Sequence, residues 1–142
     1  MANEMPDPDD YSGLSRKVLQ YGATFNQIVQ KAKQPGFSQA DWAPLEKLVD
    51  VHKFERVGVF LSSRVEVITW PQYTKYLSQF AGATSWEGTL RRITEAPGLV
   101  ILELVERNTT QGVTRVSNTV TIYEFSDAGK LCHLDVYVQD LT

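Results

Sequence analysis

Asp135 stands in the run Leu131 to Val138, where Cys132, Leu134, Val136 and Val138 alternate with Leu131, His133, Asp135 and Tyr137. A strand with this pattern is partly apolar on both faces. A carboxylate in it must pair, accept hydrogen bonds or face a pocket. Paired with Arg107 or Arg115 across a sheet it is structural; in a pocket it is a candidate catalytic acid–base group. His133 and Tyr137 share its parity and could hydrogen-bond a ligand, or be a satisfied core histidine and a packed tyrosine. Glu55, flanked by Lys53 and Arg56, is a second candidate carboxylate or a solvent-facing strand residue. Arg107 could neutralise an anionic substrate group or orient Asp135, against the plainer reading of a surface ion pair worth under about 1 kcal/mol. Cys132 has the opposite parity and no cationic run to lower its pKa, so it is not expected to be a nucleophile.

The elements that must position these residues are legible from their periods. Leu14, Val18, Tyr21, Phe25, Ile28 and Ala32 recur at spacings of four and three, one continuous helical face that Ser12 can cap and Pro35-Gly36 ends. A short second helix starts with Asp41 as N-cap, which puts Pro44 in the first turn and turns Trp42, Leu45 and Leu48 to the core. Strands follow around Asp50 to Val57 and Val65 to Ile68. Thr69 with Gln72 is a capping-box pattern opening a third helix that carries Tyr73, Leu77 and Phe80 and stops near Gly82. Four Val/Ile/Thr-rich runs then succeed one another, Trp86 to Glu95, Leu99 to Thr109, Val113 to Phe125 and Lys130 to Val138, separated by turn sequences. The fold class is α+β, with three helices packed in a highly curved antiparallel sheet. Trp70, Trp86 and Tyr73 are aromatic bulk for the core or a pocket mouth.

Composition narrows the function classes. At 142 residues the chain fits one domain, over 12–142, and needs no staples. One cysteine excludes an internal disulfide, and two distant histidines give no ligand cluster, so neither a metal nor another cofactor is implied. Residues 1–11 hold four of the 17 acidic residues with no basic partner, and read as a disordered tail; the rest has 13 acidic against 14 basic groups, no footprint for nucleic acid. No apolar run approaches a membrane span and no signal peptide is visible, so a cytoplasmic protein is expected. Asn108-Thr109-Thr110 is then an accidental glycosylation match.

The element order, with Asp41-Trp42-Ala43-Pro44-Leu45, Asp50-Val51-His52-Lys53-Phe54-Glu55-Arg56-Val57-Gly58, Tyr123-Glu124-Phe125-Ser126-Asp127-Ala128-Gly129-Lys130 and Leu134-Asp135-Val136-Tyr137, resembles the nuclear-transport-factor-2-like superfamily, particularly its SnoaL-like branch, over about residues 12 to 138. The resemblance implies a cone around an apolar pocket and a homodimer through the outer sheet face. It places Glu55 where isomerase members carry a general base, Thr121 where they carry an oxyanion-hole acid, and Tyr21 on the helix face of their tyrosine. Epoxide-hydrolase members have an Arg-x-Asp pair and a later aspartate, matched by Arg107 and Asp135 but with Thr109 in place of the first aspartate. Cyclase members use an acid–base aspartate where Asp135 stands, and the histidine they carry on the preceding strand falls near Thr121.

Two functions are open on these grounds. One is a cofactor-independent enzyme doing acid–base chemistry on a hydrophobic carbonyl-bearing substrate through Asp135 and Glu55, with Arg107, His133, Tyr137, Thr121 and Tyr21 around the ligand. The other is a non-catalytic ligand-binding or dimerisation module. In the family register Leu131, His133, Asp135 and Tyr137 face the helices, and Val100, Leu102, Leu104, Val120, Ile122, Leu134 and Val136 make an apolar outer face for a second subunit.

Overall fold

The computed structural model describes residues 4–142. Helix α1 spans Gly13–Ala32 and buries the stripe its spacing dictates: Val18, Tyr21 and Ile28 are buried, with Leu14 and Phe25 packed against them. Ser12 sits at the N-cap but its side chain makes no capping bond. Instead Glu95, 80 positions away, accepts the Ser15 N–H at 2.7 Å and the Ser15 hydroxyl at 2.8 Å. Gly13 has φ +62°, and a Cβ there would stand 3.0 Å from Glu95 Oε2, so conformation and space both favour glycine at this junction.

Those bonds hold the Glu95 carboxyl below its ordinary pKa, the Ser15 N–H contributing most. A depressed folded pKa makes its contribution complete above the unfolded carboxylate value and lost as pH falls through the folded one. Glu95→Ala is expected to lower stability by about 1 kcal/mol, as loss of an N-cap does. Urea denaturation at neutral pH checks it, and the gap between wild type and variant should narrow as the medium is acidified.

The second helix is shorter than expected. A 3-10 turn at Gln39–Trp42 leads into one turn of α2, Ala43–Glu46. Ser38 is the N-cap, and Asp41 acts from inside the turn, accepting the Ser38 N–H at 2.8 Å and a 2.7 Å ion pair from Lys31 of α1. Trp42 and Leu45 are fully buried. The first strand, β1, is Glu55–Val59; the Asp50 carbonyl accepts the Lys53 and Phe54 N–H groups, so the beginning of the expected strand is a turn. β2 is Val65–Thr69, and α3, Trp70–Phe80, opens on the expected Thr69–Gln72 box. Tyr73 is buried, but Phe80 is half-exposed rather than packed inside.

The meander is β3 (Thr84–Ala96), β4 (Leu99–Thr110), β5 (Val113–Phe125) and β6 (Leu131–Asp140). One six-stranded sheet results, in the order β2-β1-β6-β5-β4-β3. Every pair is antiparallel except β1 with β6, where Arg56 lies beside Leu134. The sheet is curved, unclosed and mixed, with the helices in its concavity. Phe25, Phe37, Trp42, Phe54, Trp70 and Tyr73 form the aromatic part of the core, with Phe54 and Trp70 edge to face at 5.0 Å. The acidic segment expected to be disordered is, from Glu4 onward, laid on this body: the Glu4 N–H donates to the Gly88 carbonyl at 2.8 Å, and Asp9 pairs with Arg16 at 2.7 Å. No helix among the described residues is long and apolar enough to cross a membrane.

Candidate ligand-binding site

Side chains alternate across a strand, so pairing fixes which residues can meet a ligand. Leu102, Leu104, Glu106 and Asn108 of β4 face the helices, as do Ser117, Thr119, Thr121 and Tyr123 of β5 and Leu134, Val136 and Val138 of β6. With Tyr21 and Phe25 of α1 and Tyr73 and Leu77 of α3 they enclose a cavity of about 910 Å³, to which Met5 and Pro6 add a rim. That is ample for a small organic ligand.

Among the described lining residues Arg56 and Glu106 are the only charged groups. Arg56 is 7% exposed. Its Nη1 donates to the Val59 carbonyl at 3.2 Å, and its guanidinium carbon lies 4.9 Å from the Phe60 ring centre and 5.5 Å from that of Tyr73. Among the described residues no carboxylate lies within 4.0 Å of it. Glu106 is half-buried and accepts the Trp86 indole N–H at 2.5 Å. The indole lies over Gly88, where a Cβ would come within 2.5 Å of it, so glycine opposite Glu106 makes room for the ring that orients the carboxylate.

Between the two charges stand hydroxyls. The Tyr21 hydroxyl and Thr119 Oγ1 are buried with no hydrogen-bond partner among the described residues. Burial raises the pKa of Tyr21, Tyr73 and Tyr123, with Arg56 opposing the rise at each and Glu106 adding to it at Tyr73 and Tyr123. The phenols therefore stay protonated, as donors, throughout the physiological range.

The sequence-chosen residues divide between the two faces. Tyr21 and Thr121 line the cavity; Asp135, Glu55, His133, Tyr137 and Arg107 do not. Asp135 lies opposite Ile122, and Tyr137 opposite Val120, on the convex face. Leu131 is buried in the core as expected, but beyond the irregularity at Glu124/Phe125 the expected parity of β6 is reversed, and Leu134, Val136 and Val138 take the inward positions. Arg107 is also convex-facing but lies far along the strands from Asp135: it reaches Glu87 at 3.7 Å and the Thr89 hydroxyl at 3.1 Å. The apolar set assigned to a dimer face is split, since Val100, Leu102, Leu104, Leu134 and Val136 point inward and only Val120 and Ile122 outward.

The structure does bring Glu55, His133 and Asp135 together. His133 Nε2 lies 3.1 Å from Asp135 Oδ1 and Nδ1 lies 3.4 Å from Glu55 Oε1. Burial pulls the imidazole pKa down, but the Asp135 hydrogen bond and charge, with the charges of Glu124 and Glu55, outweigh it and leave it raised. A raised folded pKa stabilises fully below the unfolded value of 6.5 and loses that contribution as pH rises through the folded value. The stability gap between wild type and His133→Gln should therefore be wider at about pH 5.5 than at about pH 8.5. A gap that ignores pH in denaturant titrations would show that the cluster is not coupled to folding. The Cys132 thiol lies 3.5 Å from the Glu124 carbonyl, and burial pushes its pKa up.

Arg56 and Glu106 escaped sequence reasoning although each carried a signal. Arg56 shares the parity of Phe54, a residue bound for the core, and Glu106 continues the apolar series Val100, Leu102 and Leu104. A charge on the buried set of a strand is a stronger pointer to a pocket than one on a mixed set.

No family model matches the sequence, and no curated protein does. Solved structures do match. An LEH-like epoxide hydrolase of M. tuberculosis superposes with a TM-score of 0.60 at 12% identity, over 87% of this chain and 83% of that one. An NTF2-like protein from Anabaena variabilis gives 0.61 at 13%, over 91% and 94%. A Δ5-3-ketosteroid isomerase from Mycobacterium sp. gives 0.60 at 15%, over 87% and 98%. The chain has the α+β cone fold of the nuclear-transport-factor-2-like superfamily. At these identities the likeness is one of fold, and the activity has to be argued from the pocket.

Proposed function

We propose that the chain binds a small hydrophobic, carbonyl-bearing molecule in its cavity and moves a proton on it without a cofactor, with Glu106 as the proton acceptor. The observation that carries this reading is a lone, half-buried carboxylate in a largely apolar cavity, oriented by the Trp86 N–H. Glu106 would take the proton from the carbon next to the carbonyl. The C–H pair becomes the enolate double bond and the carbonyl π pair moves onto oxygen. Thr119, one inward position along β5 from Ser117, which lies opposite Glu106, has a partnerless buried hydroxyl suited to donating to that oxygen. Where the substrate carries a β,γ double bond the product is a dienolate, and return of the proton to its γ carbon, with the double bond moving into conjugation, completes an isomerisation. The Asp135 and Glu55 pair is not carried into this proposal, since both lie outside the cavity.

The experiment is deuterium uptake. Wild-type protein in D2O with a panel of cyclic ketones and enones, followed by proton NMR, should exchange the α-hydrogens of at least one member faster than buffer alone. Binding without exchange would favour the second reading, a binding module, which is supported by the four tyrosines that line the cavity.

A further inference from the structure

We infer that Arg56 makes the β1 end of the cavity an anion subsite, and that the ligand is a planar apolar molecule bearing a carboxylate. This rests on the proposed use of the cavity as a ligand site, but not on any chemistry at Glu106.

The argument begins with what a buried guanidinium requires. Desolvating a cation costs several kcal/mol unless charge or hydrogen bonds replace the lost water. Arg56 is more than nine-tenths buried; among the described residues its Nη1 donates to the Val59 carbonyl and its guanidinium also hydrogen-bonds the Tyr73 side chain, but no carboxylate is in ion-pair range. Phe60 and Tyr73 compensate through their ring faces. A ring attracts a guanidinium through its plane, whereas the five donors lie in that plane and point outward. The ring contacts thus leave in-plane donors for a ligand, the arrangement that suits a bidentate carboxylate.

The protein's own acids do not supply the anion. Burial keeps Tyr21, Tyr73 and Tyr123 protonated, so no phenolate forms beside Arg56. Glu106 belongs to the other end. Arg56 lies beside Leu134 while Glu106 is in the row of Asp140, six residues further along β6, and the two form no ion pair. Between them the wall is mainly apolar or aromatic, from Leu102, Leu104, Val136 and Tyr123, with the Thr119, Thr121 and Tyr21 hydroxyls set into it. A ligand matching this wall has one anionic end, a flat apolar body and, toward Glu106, a neutral polar group.

The test compares 1-naphthoate with its neutral isostere 1-naphthamide by calorimetric titration at neutral pH and moderate salt. Wild type should bind the acid at least tenfold more tightly, about 1.4 kcal/mol. Arg56→Met should abolish that preference while melting no lower than wild type, because it removes a buried cation that lacks a carboxylate partner. Arg56→Lys should keep part of the preference. Equal affinity of wild type for acid and amide overturns the subsite and leaves the cavity reading standing. No binding of either probe overturns both. An Arg56→Met variant that keeps the preference, or that unfolds, assigns Arg56 to the scaffold and also overturns the subsite.

Discussion

Truncating Trp42 to alanine is expected to destabilise the protein by about 3–5 kcal/mol, the range for large aromatic deletions in a core. The ring is fully buried, and it packs edge to face on Phe37 at 6.2 Å and on Trp70 at 6.4 Å, with Phe25 at 6.0 Å. Its indole N–H donates at 3.0 Å to the Ser78 hydroxyl, which in turn donates to the Thr74 carbonyl of α3. One side chain therefore ties the turn after α1 to α3 and to the second tryptophan. Removing it leaves a void that close-packed rings can fill only by moving together. Against a typical domain stability of roughly 5–15 kcal/mol, the loss takes a large share. Urea titration should show the midpoint falling at an unchanged slope, and Trp42→Phe should recover much of the difference. A loss below about 1 kcal/mol would mean the aromatic cluster is not the keystone described.

The second large effect concerns Glu106. Glu106→Gln should reduce α-hydrogen exchange of whichever ketone the protein turns over by about 10²- to 10⁴-fold, the contribution of a positioned general base. Glutamine keeps the shape and can still accept from the Trp86 indole through its amide oxygen, so ligand affinity and melting should change little. That combination separates a lost base from a damaged pocket. Exchange that survives in Glu106→Gln would remove Glu106 from the mechanism. Asp135→Asn and Glu55→Gln serve as controls that should leave exchange unchanged, because both carboxylates lie on the far side of the sheet.

The helices and the meander were legible because their signals are local. The spacing in α1, the Thr69–Gln72 box and the turn at Pro97-Gly98 each involve residues within a few positions of one another, and each is where the sequence places it. The face of each strand was not. β4 carries Val100, Leu102 and Leu104 on one side and Ile101 and Val105 on the other, and β6 is apolar on both, so alternation alone leaves the parity undecided. The side of β6 that carries more chemistry, Asp135 with His133, is paired with Glu55 on the convex face instead of with a ligand. The parallel neighbour of β6 decided the matter. β1 lies about 78 residues earlier, and nothing local announces that Arg56 will share a row with Leu134. The N-terminal cap on α1 was missed for the same reason, since its acceptor arrives from the end of β3.

The lone bridge between Glu4 and Thr89 also bears on how copies of this chain behave in crowded solution. An unclosed sheet ends in two free borders, and a border strand offers ready partners to any extended peptide. β3 is long, at 13 residues, and is the more dangerous of the two. The described part of the N-terminal segment already sits there, bonded at Gly88, and Arg91 and Arg92 add charge further along. β2, at the opposite border, is only five residues long and has Arg64 before it and Glu66 within it. One border is shielded by the chain's own backbone and the other by brevity. Colloidal stability should therefore be far more sensitive to changes at Glu4 to Pro6 than their distance from the aromatic core suggests, and trimming those residues should appear first as concentration-dependent light scattering rather than as a lower melting temperature.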